Sequence, residues 1–248
     1  MRRHNQLIIT LTILGLPLAA GLAVPAEAQE LSLNLSGTGI SERALQLVAL
    51  LTLLTLAPAM LVMVTSFTRI IVALSLLRSA LGTQTAPPNM VLTALALFLT
   101  AFIMQATFET AYESGVKPYM AGTIAEKDAF ERTVAPFRAF MLRNAREKDV
   151  ELFITLSRKP PPETPEALPL TTLIPAFMIS ELRRAFEIGF LLFLPFLVID
   201  LIVSSILIAM GMMMVPPVMV ALPFKLIFFV IVDGWRLIAG SLVQSFSF

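Results

Sequence analysis

Asp200, Lys225 and Asp233 are the residues of this sequence best placed to do chemistry. Each lies alone in a long apolar run, where a charge costs about 2.5–3.5 kcal/mol on insertion scales. Each therefore needs a partner or a wet cavity. Two aspartates on two apolar helices define one candidate chemistry, an intramembrane aspartyl protease whose paired carboxyls share a proton. Against it, the flanks VIDLIV at Asp200 and IVDGWR at Asp233 lack a glycine before the aspartate. The apolar runs also supply no recognisable pair of broken helices to admit water.

Ion pairing is the other use of these charges. If residues 201–232 form a straight hairpin turning near Val215, Asp200 and Lys225 differ by roughly 7 Å in height at about 1.5 Å per residue. That is within reach of a lysine. Glu181 lies much farther out along its arm and has no partner in a simple hairpin, which makes a neighbouring subunit the candidate. Asp233 and Arg236 are spaced as an i,i+3 pair. The set reads as structural ion pairs, or as locks that join protomers or groups that line a pathway.

Most other chemistry is excluded. The chain has no cysteine, and its one histidine, His4, lies in a segment expected to be removed. Thiolate catalysis, Ser-His hydrolysis and zinc proteolysis then have no residues to work with. No phosphate-binding loop is present. No enzyme activity, metal or other cofactor is expected. With 18 basic and 17 acidic residues the formal net charge is +1, so no basic footprint for nucleic acid exists.

The elements that hold these residues are apolar. Of 248 residues 57% are hydrophobic and 14% charged, against about 25% charged in soluble domains. Mean hydropathy is +0.84. A bilayer or a large apolar assembly must hide this surface. Arg2 and Arg3, the apolar run Leu7 to Val24 and the triplet Ala26-Glu27-Ala28 form a signal-peptide layout over residues 1–28. Cleavage after Ala28 leaves a short periplasmic segment, residues 29–44.

Charge is concentrated in one quarter of the chain: residues 109–169 hold 19 of the 35 charged residues. This divides the rest into a first apolar helical hairpin, 45–108, a polar and periplasmic helical domain, 109–172, and a second apolar hairpin, 173–248. In the first hairpin, residues 65–82 read as a helix ended by Gly82 and Pro87-Pro88. Its only charges, Arg69 and Arg78, place it on the cytoplasmic side between two spans. In the polar domain, Pro136 to Phe153 interleaves Phe137, Phe140, Met141 and Leu142 with Arg138, Arg143 and Arg146, an amphipathic pattern. Pro160-Pro161-Pro162 reads as a stiff extended linker. By hydropathy the chain reads as four spans and as all-α.

Met212, Met213 and Met214, with Met210 just before, sit between Gly211 and Pro216-Pro217. Three adjacent methionines do not share one helix stripe, but in a loop all can project inward. Their unbranched thioethers fill irregular gaps. A cyclic oligomer multiplies them into a ring able to seal a pore. Packing of a tight turn is the plainer use.

Residues 65–104, TSFTRIIVALSLLRSALGTQTAPPNMVLTALALFLTAFIM, closely resemble the first signature of the FliP family. Residues 189–235, GFLLFLPFLVIDLIVSSILIAMGMMMVPPVMVALPFKLIFFVIVDGW, resemble its second. The resemblance implies a ring-forming, membrane-associated subunit of the flagellar type III protein-export gate. It implies a homopentamer joined by FliQ-like and FliR-like subunits, next to FlhA-like and FlhB-like export components. Unfolded flagellar subunits pass through its centre. The site is then the bacterial inner membrane at the flagellar basal body, with the gate partly on the periplasmic side. Met212, Met213 and Met214 become the gasket, and Glu181 and Lys225 match charged family positions that join protomers. Sister subunits as well as lipid then bury the apolar helices. The virulence-injectisome branch of the family is the alternative; the signal peptide and the GMMMVPP turn favour the flagellar branch.

Overall fold

Residues 40–158, 164–212 and 214–246 are described by the structure, a computed structural model. The signal peptide and most of the segment after it, the triple-proline linker and Met213 lie outside the described residues. Regular structure among those described is entirely helical. The α-helices are α1 (Ile40–Met63), α2 (Phe67–Leu81), α3 (Asn89–Ala111), α4 (Lys117–Met120), α5 (Glu126–Asn144), α6 (Glu147–Ser157), α7 (Leu170–Ala209), α8 (Pro217–Ile231) and α9 (Gly234–Gln244). The chain divides into two compact units, with the boundary between Thr52 and Leu53. The described part of the first is the N-terminal half of α1, an apolar helix with exposed Leu45, Val48 and Leu51. The remaining statements concern the second.

Its core is built around α2. Ile70, Ala73, Leu74 and Leu77 are buried there, and α2 packs most extensively on α7, then on α3. Most of its apolar side chains face these two helices rather than solvent. Residues 65–82 are therefore not an exposed segment linking two spans. Arg69 is 0% exposed, so Arg69 and Arg78 do not act as two free loop charges. Gly82 ends α2 at φ 77, its amide donating to the Ser79 carbonyl. Glycine takes that left-handed backbone without a Cβ penalty.

The expected domain bounds at 108 and 172 fall inside helices. Apolar α3 runs through a π-helical turn, Tyr112–Val116, into α4. The turn lays Gly115 against α5: a Cβ there would sit 2.7 Å from the Thr133 amide nitrogen and 2.9 Å from the Ala129 carbonyl oxygen. The amphipathic stretch 136–153 is two helices, because Ala145 and Arg146 are extended between α5 and α6. Ser180 on α7 holds that break: it accepts from the Arg146 amide at 3.0 Å and lies 2.7 Å from Asp149 Oδ2.

Among the described residues, two helices are long and apolar enough to cross a membrane, Asn89–Met120 and Leu170–Ala209. A third span exists if α8 and α9 count as one, although they meet at 66°. The break falls after Ile231, at the end of the stretch 201–232 read as a straight hairpin and within the segment that carries Asp233 and Arg236. Of the most apolar 18-residue stretch of α7, only 17% is buried within the chain. The fold is that of an all-α, membrane-associated protein with much apolar surface left uncovered.

Candidate functional site

Arg69 and Glu181 are the two charged residues that are fully buried among the described residues. Arg69 lies in the first turn of α2, where its guanidinium reaches both Glu181 on α7 and the turn at Ser245. Nε donates to Glu181 Oε2 at 2.8 Å, and Nη2 donates to Glu181 Oε1. Nη1 donates to the Ser245 carbonyl at 2.7 Å and to Ser245 Oγ at 2.9 Å. The guanidinium carbon stands 3.6 Å from the centroid of the Phe246 ring, a cation–π arrangement. Phe246 in turn stacks on Phe140 at 6.0 Å, and Phe140 meets Phe177 edge-on at 5.9 Å. Arginine suits this position because its planar fork satisfies a carboxylate and further acceptors at once.

This corrects one sequence expectation. Glu181 has an internal partner, from a helix that a two-arm hairpin leaves out of account. Burial without such a partner would cost several kcal/mol. Sequence reasoning missed Ser245 and Phe246 altogether, because nothing local marks a C-terminal serine as an arginine acceptor.

Lys225 on α8 is nearly buried and lies beside Asp200 on α7. Its Nζ donates to Asp200 Oδ2 at 2.6 Å and to the Ala80 carbonyl at 3.1 Å. The second bond reaches the last turn of α2, whose closing carbonyls have no partner within the helix. One ammonium thus ties three helices together. Arg78, near the same end of α2, donates to the Pro87 carbonyl at 3.3 Å and to Asn89 Oδ1, holding the start of α3.

Asp233 and Arg236 form no ion pair with each other. Asp233 has a left-handed backbone, φ 51, at the break between α8 and α9, so the two residues do not share a helical face. Nor does any hydrogen bond join Asp233 to Asp200. A carboxyl dyad requires its two groups within such reach. Among the described residues no group of three or more acidic or histidine side chains gathers as a metal site.

The methionine turn closes α7. Gly211 at φ 72 donates to the Ile208 carbonyl at 3.0 Å, and the Met212 amide donates to Leu207 at 2.9 Å. These two bonds form a Schellman motif, in which glycine takes the left-handed position. Pro216 and Pro217 then start α8. The turn is held from both ends, yet two of its side chains stand out: Met210 is 67% exposed and Met214 97%. Neither of these two packs the turn. Met210 and Met212 border an apolar groove of about 540 Å³ between α7 and α8, with Ile206, Val220 and Phe224.

An all-α chain with interior ion pairs, uncovered apolar helices and a held-out methionine turn belongs to the class of membrane-associated helical-hairpin proteins. Comparison with known proteins makes this specific. The model of the FliP family matches residues 50–242. The flagellar biosynthetic protein FliP of Caulobacter vibrioides is 52% identical over 244 residues, 98% of this chain and 91% of that one. The FliP of Pectobacterium carotovorum is 55% identical over 203 residues, 82% and 79% of the two chains. That of Bacillus subtilis is 49% identical over 201 residues, 81% and 91%. The chain belongs to the FliP family.

Proposed function

We propose that this chain is a subunit of the flagellar type III protein-export gate in the bacterial inner membrane. Copies of it form a ring, a homopentamer by family resemblance, together with FliQ-like and FliR-like subunits and beside FlhA-like and FlhB-like components. Unfolded flagellar subunits cross through the centre. Met212, Met213 and Met214 form the gasket, with Met210 at its base. The observation that carries this reading is the methionine turn. Its backbone is fixed by Gly211 and two prolines, while Met210 and Met214 project free of the chain.

The physics suits the task. Thioether side chains are adaptable, so a ring of them closes on itself when empty and parts around an irregular polypeptide. The uncovered faces of α7 and α8 supply apolar area for sister subunits. Glu181 and Lys225 act through α2: they set the angle at which the hairpin is presented. No chemical step is assigned to the chain, and the driving energy comes from other components.

Replacing Met212, Met213 and Met214 together by alanine tests the gasket. The assembled complex should keep its mass while ion conductance through it rises. Unchanged conductance in an assembled gate rejects the gasket.

A further inference from the structure

Two grooves border α5, and their charges are complementary. The first lies between α3 and α5 and encloses about 480 Å³. Thr107, Thr110 and Ser114 line one wall, Arg132 and Arg143 the other. The second lies where α5 gives way to α6 and encloses about 720 Å³. Its floor is Leu142, Val150 and Ile154, and its rim carries Glu147 and Glu151. None of these four charged residues takes part in an ion pair among the described residues. Lys148 and Glu131, their neighbours in sequence, do not line the grooves.

We infer that these grooves are the two halves of one contact between neighbouring copies of this chain, with Arg132 and Arg143 of one copy set against Glu147 and Glu151 of the next. The inference rests on the ring reading above and names the contact that joins the polar parts of the ring. The two surfaces differ in charge and take their second walls from different helices, α3 in the first groove and α6 in the second. A contact between unlike surfaces is heterologous, the kind that propagates around a ring. A two-fold pairing would set each groove against its own copy and oppose like charges. Arginine beside apolar surface is characteristic of protein interfaces, and Leu152 and Leu156 are exposed on the same helix as Glu147 and Glu151. Opposite charge then selects register and rejects the reversed pairing.

The absence of cysteine in the sequence makes the test direct. Ala139→Cys in the first groove and Thr155→Cys in the second, together in the full chain in its native membrane, should yield a ladder of disulfide-linked multimers on oxidation. Either cysteine alone should yield none. Arg132→Glu with Arg143→Glu should lower the cross-linked yield by at least about tenfold. Adding Glu147→Arg and Glu151→Arg to the same chain should restore it. If the extracted wild-type complex has the mass of a ring but the two-cysteine chain forms no ladder, the groove contact is wrong and the ring reading stands. A ladder insensitive to charge reversal overturns the pairing. A wild-type chain extracted as a monomer overturns both.

Discussion

Arg69 on α2 and Glu181 on α7 are both fully buried and meet through two hydrogen bonds, although 112 residues separate them in sequence. The pair fixes the most extensive helix contact of the core. It also anchors the chain's C-terminal turn, because the same guanidinium holds Ser245 and faces Phe246. The hairpin that carries the methionines is therefore positioned from its far end by a charge pair in the core.

Removing one member of this pair should be worse than removing both. Glu181→Gln or Arg69→Met leaves an unmatched buried group and should cost about 3–5 kcal/mol. Arg69→Met combined with Glu181→Leu should recover part of that loss. Thermal unfolding in detergent, followed by the fluorescence of Trp235, the single tryptophan, gives the comparison. A double variant less stable than both single ones contradicts the account.

Phe246 should matter to the core more than its place near the chain end suggests. It is buried, stacks on Phe140 and covers Arg69. Phe246→Ala should lose about 3–5 kcal/mol, and Phe246→Leu clearly less. Protease susceptibility of the C-terminal helix reads the difference. Equal stability of Phe246→Ala and wild type would remove the ring from the core.

Lys225→Glu places a carboxylate beside Asp200 and removes the donor to the Ala80 carbonyl. Complex yield should fall. Asp200→Lys in the same chain should restore it in part, whereas Glu181→Lys should not, because Glu181 is already committed to Arg69. Rescue by Glu181→Lys alone would mean that Lys225 meets Glu181 across a subunit boundary.

These pairs explain which parts of the fold were legible. The position of Lys225 opposite Asp200 needs only the location of one turn, and Gly211 with Pro216-Pro217 marks that turn in a single stretch of sequence. The position of Arg69 opposite Glu181 needs the packing of α2 on α7, which no single stretch records. Hydropathy marked residues 65–82 as a helix but did not distinguish a connecting helix from a core helix. The return arm misled for a different reason: Asp233 takes a left-handed conformation usual for glycine, so the apolar pattern continues where the backbone turns. The π turn at Tyr112–Val116 was not legible either, since it accompanies a close approach of α5 at Gly115 that no local stretch records.

That close approach yields the last prediction. A Cβ on Gly115 would lie 2.1 Å from Thr133 Oγ1, 2.7 Å from the Thr133 amide nitrogen and 2.9 Å from the Ala129 carbonyl oxygen. A side chain can rotate away, but the backbone of α5 cannot move without carrying Phe140 and Met141, both buried, with it. Gly115→Ala should therefore cost about 1–3 kcal/mol, the usual range for an overpacked core. Gly240 provides the contrast, because a Cβ there meets nothing within 4 Å and it lies inside α9. Gly240→Ala should gain up to about 1 kcal/mol from helix propensity alone. The same chemical change thus has opposite signs at two positions, and Trp235-monitored unfolding of both variants decides it. A neutral Gly115→Ala would show that α5 is free to withdraw from the π turn, and the polar helices would then be loosely hinged to the apolar ones.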